Sequence, residues 1–280
     1  MAKDQLWKNM KGRKMIGQKN NINTIIKWRC NRSTPRFIII SGEQGSGRLT
    51  LAKEIMRMLN IKNGLIQDST VSAVRDTIEL AYNCTEHTMY IFRDADDMSI
   101  NAKNALLKVV EEPPNNAYFV MTVHNIDNML GTIKSRGTVI KMEPYTIQEL
   151  RSVCDDKLKL EYCTNIGELQ MEHEEIERAE NCVDGVIEAL YTQSGTRLLK
   201  ACTQLKAKQT DTDKIDCSLF FRVFKKRFYL AYEPFNLCIN LNSMSYIFEC
   251  EREIKRNTVN KKSSIECMLI KILEVIKDEA

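Results

Sequence analysis

The stretch from Thr88 to Arg136 constrains the fold more than any other part of this 280-residue chain. It opens on a short apolar run, Met89-Tyr90-Ile91-Phe92, that leads straight into acids at Asp94, Asp96 and Asp97. Such a pattern predicts a buried strand that delivers carboxylates to the edge of a sheet. From Ser99 to Glu112, Ala102, Ala105, Leu106, Val109 and Val110 recur at spacings of three and four, and Pro113-Pro114 then forbid further helix. A second apolar run, Tyr118-Phe119-Val120-Met121, ends in Thr122, and a polar turn at His124-Asn125 leads on to Ser135-Arg136. Strand and helix in alternation belong to an open parallel sheet, whose ligands collect beyond the carboxyl ends of the strands. The expected fold class is therefore α/β, with the acids and Thr122 at the ligand edge.

Upstream, residues 5 to 34 read as polar and helix-forming, with a turn at Ile16-Gly17-Gln18 and an apolar face of Ile22, Ile25, Ile26 and Trp28. Phe37-Ile38-Ile39-Ile40 is an uncharged β-branched run that predicts a strand. Ser41-Gly42-Glu43-Gln44-Gly45-Ser46-Gly47-Arg48-Leu49-Thr50 follows, and then the helical periodicity of Leu51, Ala52, Ile55, Met56 and Leu59. Strand, glycine-rich loop and helix in this order cradle phosphate, because free N–H groups and the positive end of the helix face the anion. Gly42, Gly45 and Gly47 are the candidate loop, and Gly42-x4-Gly47 has the P-loop spacing. The P-loop lysine is replaced by Arg48, whose planar fork is no isostere of an ammonium. The magnesium-binding hydroxyl is replaced by Leu49, and Thr50 stands one place too late.

Asn60 to Gly64 reads as a turn, and Asp68-Ser69 as the cap of a helix carrying Val71, Val74, Ile78 and Ala81. In phosphate-transfer sites the strand end presents an acid for magnesium and then one that polarises the attacking water. Arg93 and Asp94 stand at those positions. A cation at the first opposes magnesium. Asp96 and Asp97 are expected to form a solvated, helix-capping acid cluster. Binding phosphate is favoured over hydrolysing it.

Composition bounds the partners. Lys and Arg number 41 against 37 Asp and Glu, so any nucleic-acid surface must be local. The ten cysteines include no pair two to four residues apart, which opposes a zinc site and predicts scattered reduced thiols packed as small apolar groups. No apolar run approaches the ~18 residues of a membrane span. The start, Met1-Ala2-Lys3-Asp4, holds no apolar block, so a cytoplasmic location is expected.

Asp94-Ala95-Asp96-Asp97-Met98, Asn104-Ala105-Leu106-Leu107-Lys108, Glu111-Glu112-Pro113-Pro114 and Ser135-Arg136 together resemble the clamp-loader branch of the AAA+ ATPases. The likeness is greatest to the delta-prime type of subunit in bacterial DNA polymerase III. Met15-Ile16-Gly17-Gln18 is similar to the family's N-terminal box beside the adenine pocket, and Val74-Arg75-Asp76 to its helix before the acidic strand. The resemblance covers about residues 10 to 140 well and is a matter of layout beyond 145. It implies a RecA-like core over 1–143, a helical lid over 144–205 and a helical collar for oligomerisation over 206–280. It implies that Arg136, with Ser135, is a finger that reaches a neighbour's bound ATP; the family usually has cysteine at the next position, here Gly137. Thr122 or Val123 falls at the first sensor. Glu188, within Asp184-Gly185-Val186-Ile187-Glu188-Ala189-Leu190, falls at the second, with Ser194-Gly195-Thr196-Arg197 as a competing alignment. The family's four-cysteine zinc module is absent, since only Cys84 lies between Thr50 and Thr88.

Loop lysine, loop hydroxyl, metal carboxylate and second sensor are thus altered together, as in delta-prime subunits that keep the finger but not the turnover. The implied function is a non-hydrolysing stator subunit, with ATP or ADP held without turnover. Its implied partners are an ATPase motor subunit, a delta-like subunit and, through the complex, the sliding clamp and primed DNA. Two alternatives stay open: an active motor in which Arg48 and Thr50 take over the missing roles, and an AAA+ module that grips DNA or a partner outside any loader.

The last third reads as helical. Small helices are expected from Tyr145 to about Lys200, with a solvated acidic face from Glu172 to Glu180 and a linker from Lys206 to Asp213. Apolar residues at helical spacing (Leu219, Phe220, Val223, Phe224; Met268, Leu269, Ile272, Leu273) predict a bundle from Cys217 to Ile276. Lys225-Lys226-Arg227 is a basic run for which a charged outer helix face is favoured over contact with DNA.

Overall fold

A computed structural model describes residues 15–206, 214–232, 237–256 and 260–278. The start of the chain, residues 5–14 of the expected first helix and most of the expected linker lie outside the described residues. Five parallel strands form one sheet in the order β2-β3-β4-β1-β5, with β1 Phe37–Ser41, β2 Asn63–Gln67, β3 Thr88–Phe92, β4 Ala117–Val123 and β5 Thr138–Lys141. The α/β expectation is borne out. The helices between them are α1 Lys19–Cys30, α2 Arg48–Met58, α3 Val71–Tyr82, α4 Ile100–Glu111 and the short α5 Gly131–Lys134.

Strand alternation divides the core in two. Ile38, Ile40, Met89, Ile91 and Val120 face Ile25 of α1 and Leu51, Ala52 and Ile55 of α2. Phe37, Ile39, Tyr90, Phe92, Phe119 and Met121 face Val74 and Ala81 of α3 and Ala102, Leu106 and Val109 of α4. Successive side chains of a strand point to opposite faces, so a sheet covered on both sides needs uninterrupted apolar runs. Every residue of β1 and β3 is buried accordingly.

Local chemistry sets the helix ends. Ser99 accepts the Ala102 N–H as N-cap of α4, which stops at Glu111 ahead of Pro113-Pro114. Thr70, not the expected Asp68-Ser69, caps α3 by accepting the Ala73 N–H. Gly17 and Gln18 both have positive φ, 67° and 57°, and turn the chain into α1. There the Gln18 amide donates to Glu143 O at 2.7 Å and accepts the Glu143 N–H at 2.9 Å.

Two edge strands depart from expectation. The residues read as a turn at Asn60 to Gly64 run into β2, which pairs with β3 from Asn63↔Thr88 to Gln67↔Phe92. β5, which the sequence did not mark, pairs with β1 from Ile38↔Thr138 to Ser41↔Lys141.

The chain divides into two compact units, residues up to Val153 with Thr164–Glu168, and Cys154–Cys163 with the residues from Leu169 onward. The first contains the sheet and the short α6 Ile147–Arg151. The second contains α7 Lys157–Tyr162, α8 His173–Tyr191, α9 Gly195–Cys202, α10 Cys217–Tyr232, α11 Leu237–Arg256 and α12 Lys261–Asp278. One apolar core runs through it, from Tyr162, Ile176 and Val183 to Phe220, Phe224, Leu269 and Ile276. Boundaries at 143/144 and 205/206 are therefore not those of the compact units: α7 to α12 share a single core. No helix among the described residues is long and apolar enough to cross a membrane.

Candidate nucleotide site

The glycine loop joins β1 to α2. Gly45 and Gly47 have φ of +82° and +90°, values in the left-handed region that side chains disfavour, so glycine is required at both turns. Helix α2 starts on Arg48, with Gly47 as an N-cap that has no side chain to satisfy the first N–H groups. An unsatisfied helix N-terminus attracts an anion. Two buried polar atoms at this place have no hydrogen-bond partner in the protein, Ser46 Oγ and Arg48 Nη1. Thr50 stands half-buried within the first turn of α2.

Arg48 does not extend freely toward a ligand. Its Nη2 is 3.0 Å from Asp94 Oδ1, and the side chain is 9% exposed. Burial lowers its pKa and the charge of Asp94 opposes that shift. The loop cation and the acid beyond β3 are thus brought together and neutralise each other. Asp94 itself has φ of 47°, and its N–H donates to Thr122 Oγ1 at 3.1 Å across the β3–β4 pairing. Thr122 is buried and packed at this strand end. Arg93, at the position of the metal carboxylate, is exposed.

Asp96 corrects the expectation of a solvated cluster. Its side chain is 1% exposed and its carboxylate accepts the N–H groups of His124 and Asn125 at 3.0 and 3.1 Å, with the His124 ring Nδ1 at 3.3 Å. The same imidazole places Nε2 3.7 Å from Asp94. Lys103, buried on α4, donates to Asp96 O at 2.8 Å and Asn128 O at 3.2 Å, which closes the turn from below. Asp97 remains exposed, as expected. Asp96, Asp97 and His124 form a group near enough to share a metal ion. The Asp96 oxygens, however, are already taken by three donors, so the arrangement is that of a structural carboxylate.

Arg136 follows α5 at the surface. Its Nη2 lies 2.5 Å from Glu111 Oε1 at the end of α4, and Nη1 donates to Thr132 O at 2.7 Å. Ser135 Oγ donates to the same carbonyl at 3.1 Å. Gly137 is pressed against β1: a Cβ there would meet Ile39 at 2.7 Å and Phe37 at 2.9 Å. In the second unit, the two rival second-sensor residues meet each other, with Arg197 Nη1 3.5 Å from Glu188 Oε1 on an exposed surface.

The basic run is internally paired, Lys225 with Glu251 at 2.9 Å, Lys226 with Glu161 at 2.8 Å, and Arg227 with Glu180 and Asp184 at 2.6 and 2.5 Å. Glu180 also accepts the Tyr162 hydroxyl, so this end of the acidic stretch is a packed ion pair and not a solvated face. The nine described cysteines are all free thiols, five of them buried.

Sequence reasoning missed His124 as a partner of both acids, and Tyr145 and Asn165 as partners of the loop. His124 had a signal, being an imidazole just past a strand end. Tyr145 and Asn165 had none, because nothing in their neighbours indicates proximity to residues ~100 positions away.

A family model described as DNA polymerase III, delta subunit, matches residues 56–146. The DNA polymerase III gamma subunit of Buchnera aphidicola is 24% identical over 167 residues, 49% of this chain and 46% of its own length. Replication factor C subunit 3 of Schizosaccharomyces pombe is 25% identical over 162 residues, 53% of this chain and 47% of its own length. The chain spans about half the length of these curated relatives. Among solved structures, a DNA polymerase III gamma-subunit-related protein of Thermotoga maritima is similar to 93% of this chain over 100% of its own length, at 18% identity and a TM-score of 0.49.

Proposed function

We propose that this chain, which belongs to the clamp-loader branch of the AAA+ proteins, is a non-hydrolysing structural subunit of a DNA sliding-clamp loader. The observation that carries the reading is the Arg48–Asp94 ion pair. Turnover needs a free cation on the transferred phosphate and a free carboxylate toward water. In this chain each is bound to the other, Leu49 offers no metal ligand, and Arg93 puts positive charge where a magnesium carboxylate belongs.

Phosphate itself fits the loop. The N-terminus of α2, Ser46 Oγ and Arg48 Nη1 offer donors without partners, and Gly42, Gly45 and Gly47 let the backbone approach. ATP or ADP would be held there by the loop, Arg48 and Thr50. The residues do not fit magnesium, so no hydrolytic step is assigned to this site.

Arg136 acts in trans. Its pair with Glu111 is between side chains 35% and 46% exposed, and such exposed pairs contribute at most about 1 kcal/mol. The γ-phosphate of ATP on an adjacent motor subunit therefore outcompetes Glu111. The hydroxyl of Ser135, the residue before Arg136, donates to Thr132 O, and this holds the backbone from which the guanidinium starts. The partners that follow are a motor subunit, a delta-like subunit and, through the assembly, the clamp and primed DNA.

Replacing Arg136 by Ala tests the finger. Assembly is expected to be unchanged while ATP turnover by the loader falls by about three powers of ten. Unchanged turnover in an intact assembly removes the role.

A further inference from the structure

Consecutive carbonyls of the glycine loop are each capped by a donor from outside it. Gln44 O accepts from Asn165 Nδ2 at 3.2 Å, Gly45 O from the Gly167 N–H at 3.1 Å, and Ser46 O from the Tyr145 hydroxyl at 3.0 Å. All of these residues belong to the first unit. The approach is close: a Cβ on Gly45 would lie 2.4 Å from Asn165 Oδ1, and one on Gly167 would lie 2.4 Å from Gly45 Cα. Asn165 is 3% exposed, and its Oδ1 accepts the Glu168 N–H at 3.1 Å, so the amide is fixed at both ends.

A trans peptide is planar, with its C=O and the following N–H on opposite sides. Carbonyls of Gln44, Gly45 and Ser46 drawn toward the clamp therefore turn the N–H groups of Gly45, Ser46 and Gly47 the other way. The Ser46 N–H closes onto Glu43 O at 3.2 Å. That leaves the N–H groups of Gly45 and Gly47 to line an anion-binding concavity, beside the partnerless Ser46 Oγ and Arg48 Nη1. Burial, and then the charge of Glu149, move the Tyr145 pKa further above neutrality, where a tyrosine hydroxyl is protonated in any case.

We propose that Asn165, supported by Tyr145 and Gly167, is a positioning residue that holds the glycine loop in a phosphate-ready shape in the absence of nucleotide and metal. The shape rests on the clamp alone; its use rests on the reading that the loop holds phosphate. A loop without a magnesium ligand loses one means of ordering itself on a nucleotide, and the clamp supplies that order from the protein.

The test is hydrogen exchange of the amides at 43–48 in the nucleotide-free full chain, alongside ADP binding without magnesium. Asn165→Asp keeps the oxygen that caps Glu168, loses the donor to Gln44 and adds a negative charge, for which the uncharged Tyr145→Phe is the control. Tyr145→Phe loses only the hydroxyl and serves as a second variant should the first fail to fold. The Ser46 amide, bonded to Glu43 O, is expected to be protected in the native chain; each variant is expected to speed its exchange about tenfold and weaken ADP by a similar factor, with β1 and β3 unchanged. A native Ser46 amide that exchanges as fast as a free peptide overturns the proposal, as does variant exchange equal to native. Faster loop exchange in a chain whose native form binds no ADP supports the clamp and overturns the phosphate reading.

Discussion

Asp96 and Asp94 stand two residues apart and do different things. Asp94 neutralises the loop cation, whereas Asp96 gathers the His124 ring and two backbone N–H groups onto one buried carboxylate. Replacing Asp96 by Ala leaves those N–H groups without a partner and is expected to cost about 2–4 kcal/mol at neutral pH. Burial pushes the Asp96 pKa up, but the His124 ring and the N–H donors of Asn125 and His124 outweigh it and hold the carboxyl below its ordinary range. A folded pKa below the unfolded one, about 3.9, stabilises the fold above that pH. The contribution is lost as pH falls through the lower, folded value. Urea unfolding of native and Asp96→Ala protein from pH 7 to 3 should show a gap that narrows only in acid, and a constant gap would contradict this account. Asp94 and Arg48 were legible in the sequence because motif spacing fixes their places. The role of Asp96 was not, since its donors lie 28 and 29 residues away and meet it only through the pairing of β3 with β4.

Legibility among the elements followed burial. β1, β3 and β4 lie inside the sheet, are apolar but for Ser41, Thr88 and Thr122, and were read directly. β2 and β5 are its two edges. β2 opens on Asn63-Gly64 and has no fully buried residue, and β5 buries only Ile140. An edge strand covered on fewer sides needs less apolar sequence, and Asn-Gly is a turn signal, so the local pattern pointed elsewhere. The passage from α5 into β5 also explains Gly137. The family's cysteine at this position would add a side chain where Ile39 and Phe37 leave no room for a Cβ. Gly137→Cys is therefore expected to destabilise the first unit by about 1–3 kcal/mol through overpacking. A thermal melt with unchanged Tm would show that the Ile39 and Phe37 side chains make way for the added Cβ.

At the scale of the whole molecule, two compact units divide the labour. The sheet unit holds the loop, the acids and Arg136; the helical unit holds a single core and a surface whose basic run is already paired. The sequence foresaw a helical second half from apolar spacing. It did not foresee that α7 to α12 would share one core, because that depends on which helix faces meet. The altered loop, the Arg48–Asp94 pair and the exposed arginine fit one account, in which the chain lends charge to a neighbour's reaction and performs none. ATP turnover by the purified chain alone, with magnesium and primed DNA, tests that account most directly. No turnover is predicted, whether or not nucleotide binds. Turnover that is abolished by replacing Arg48 would contradict it and make the chain a motor in its own right.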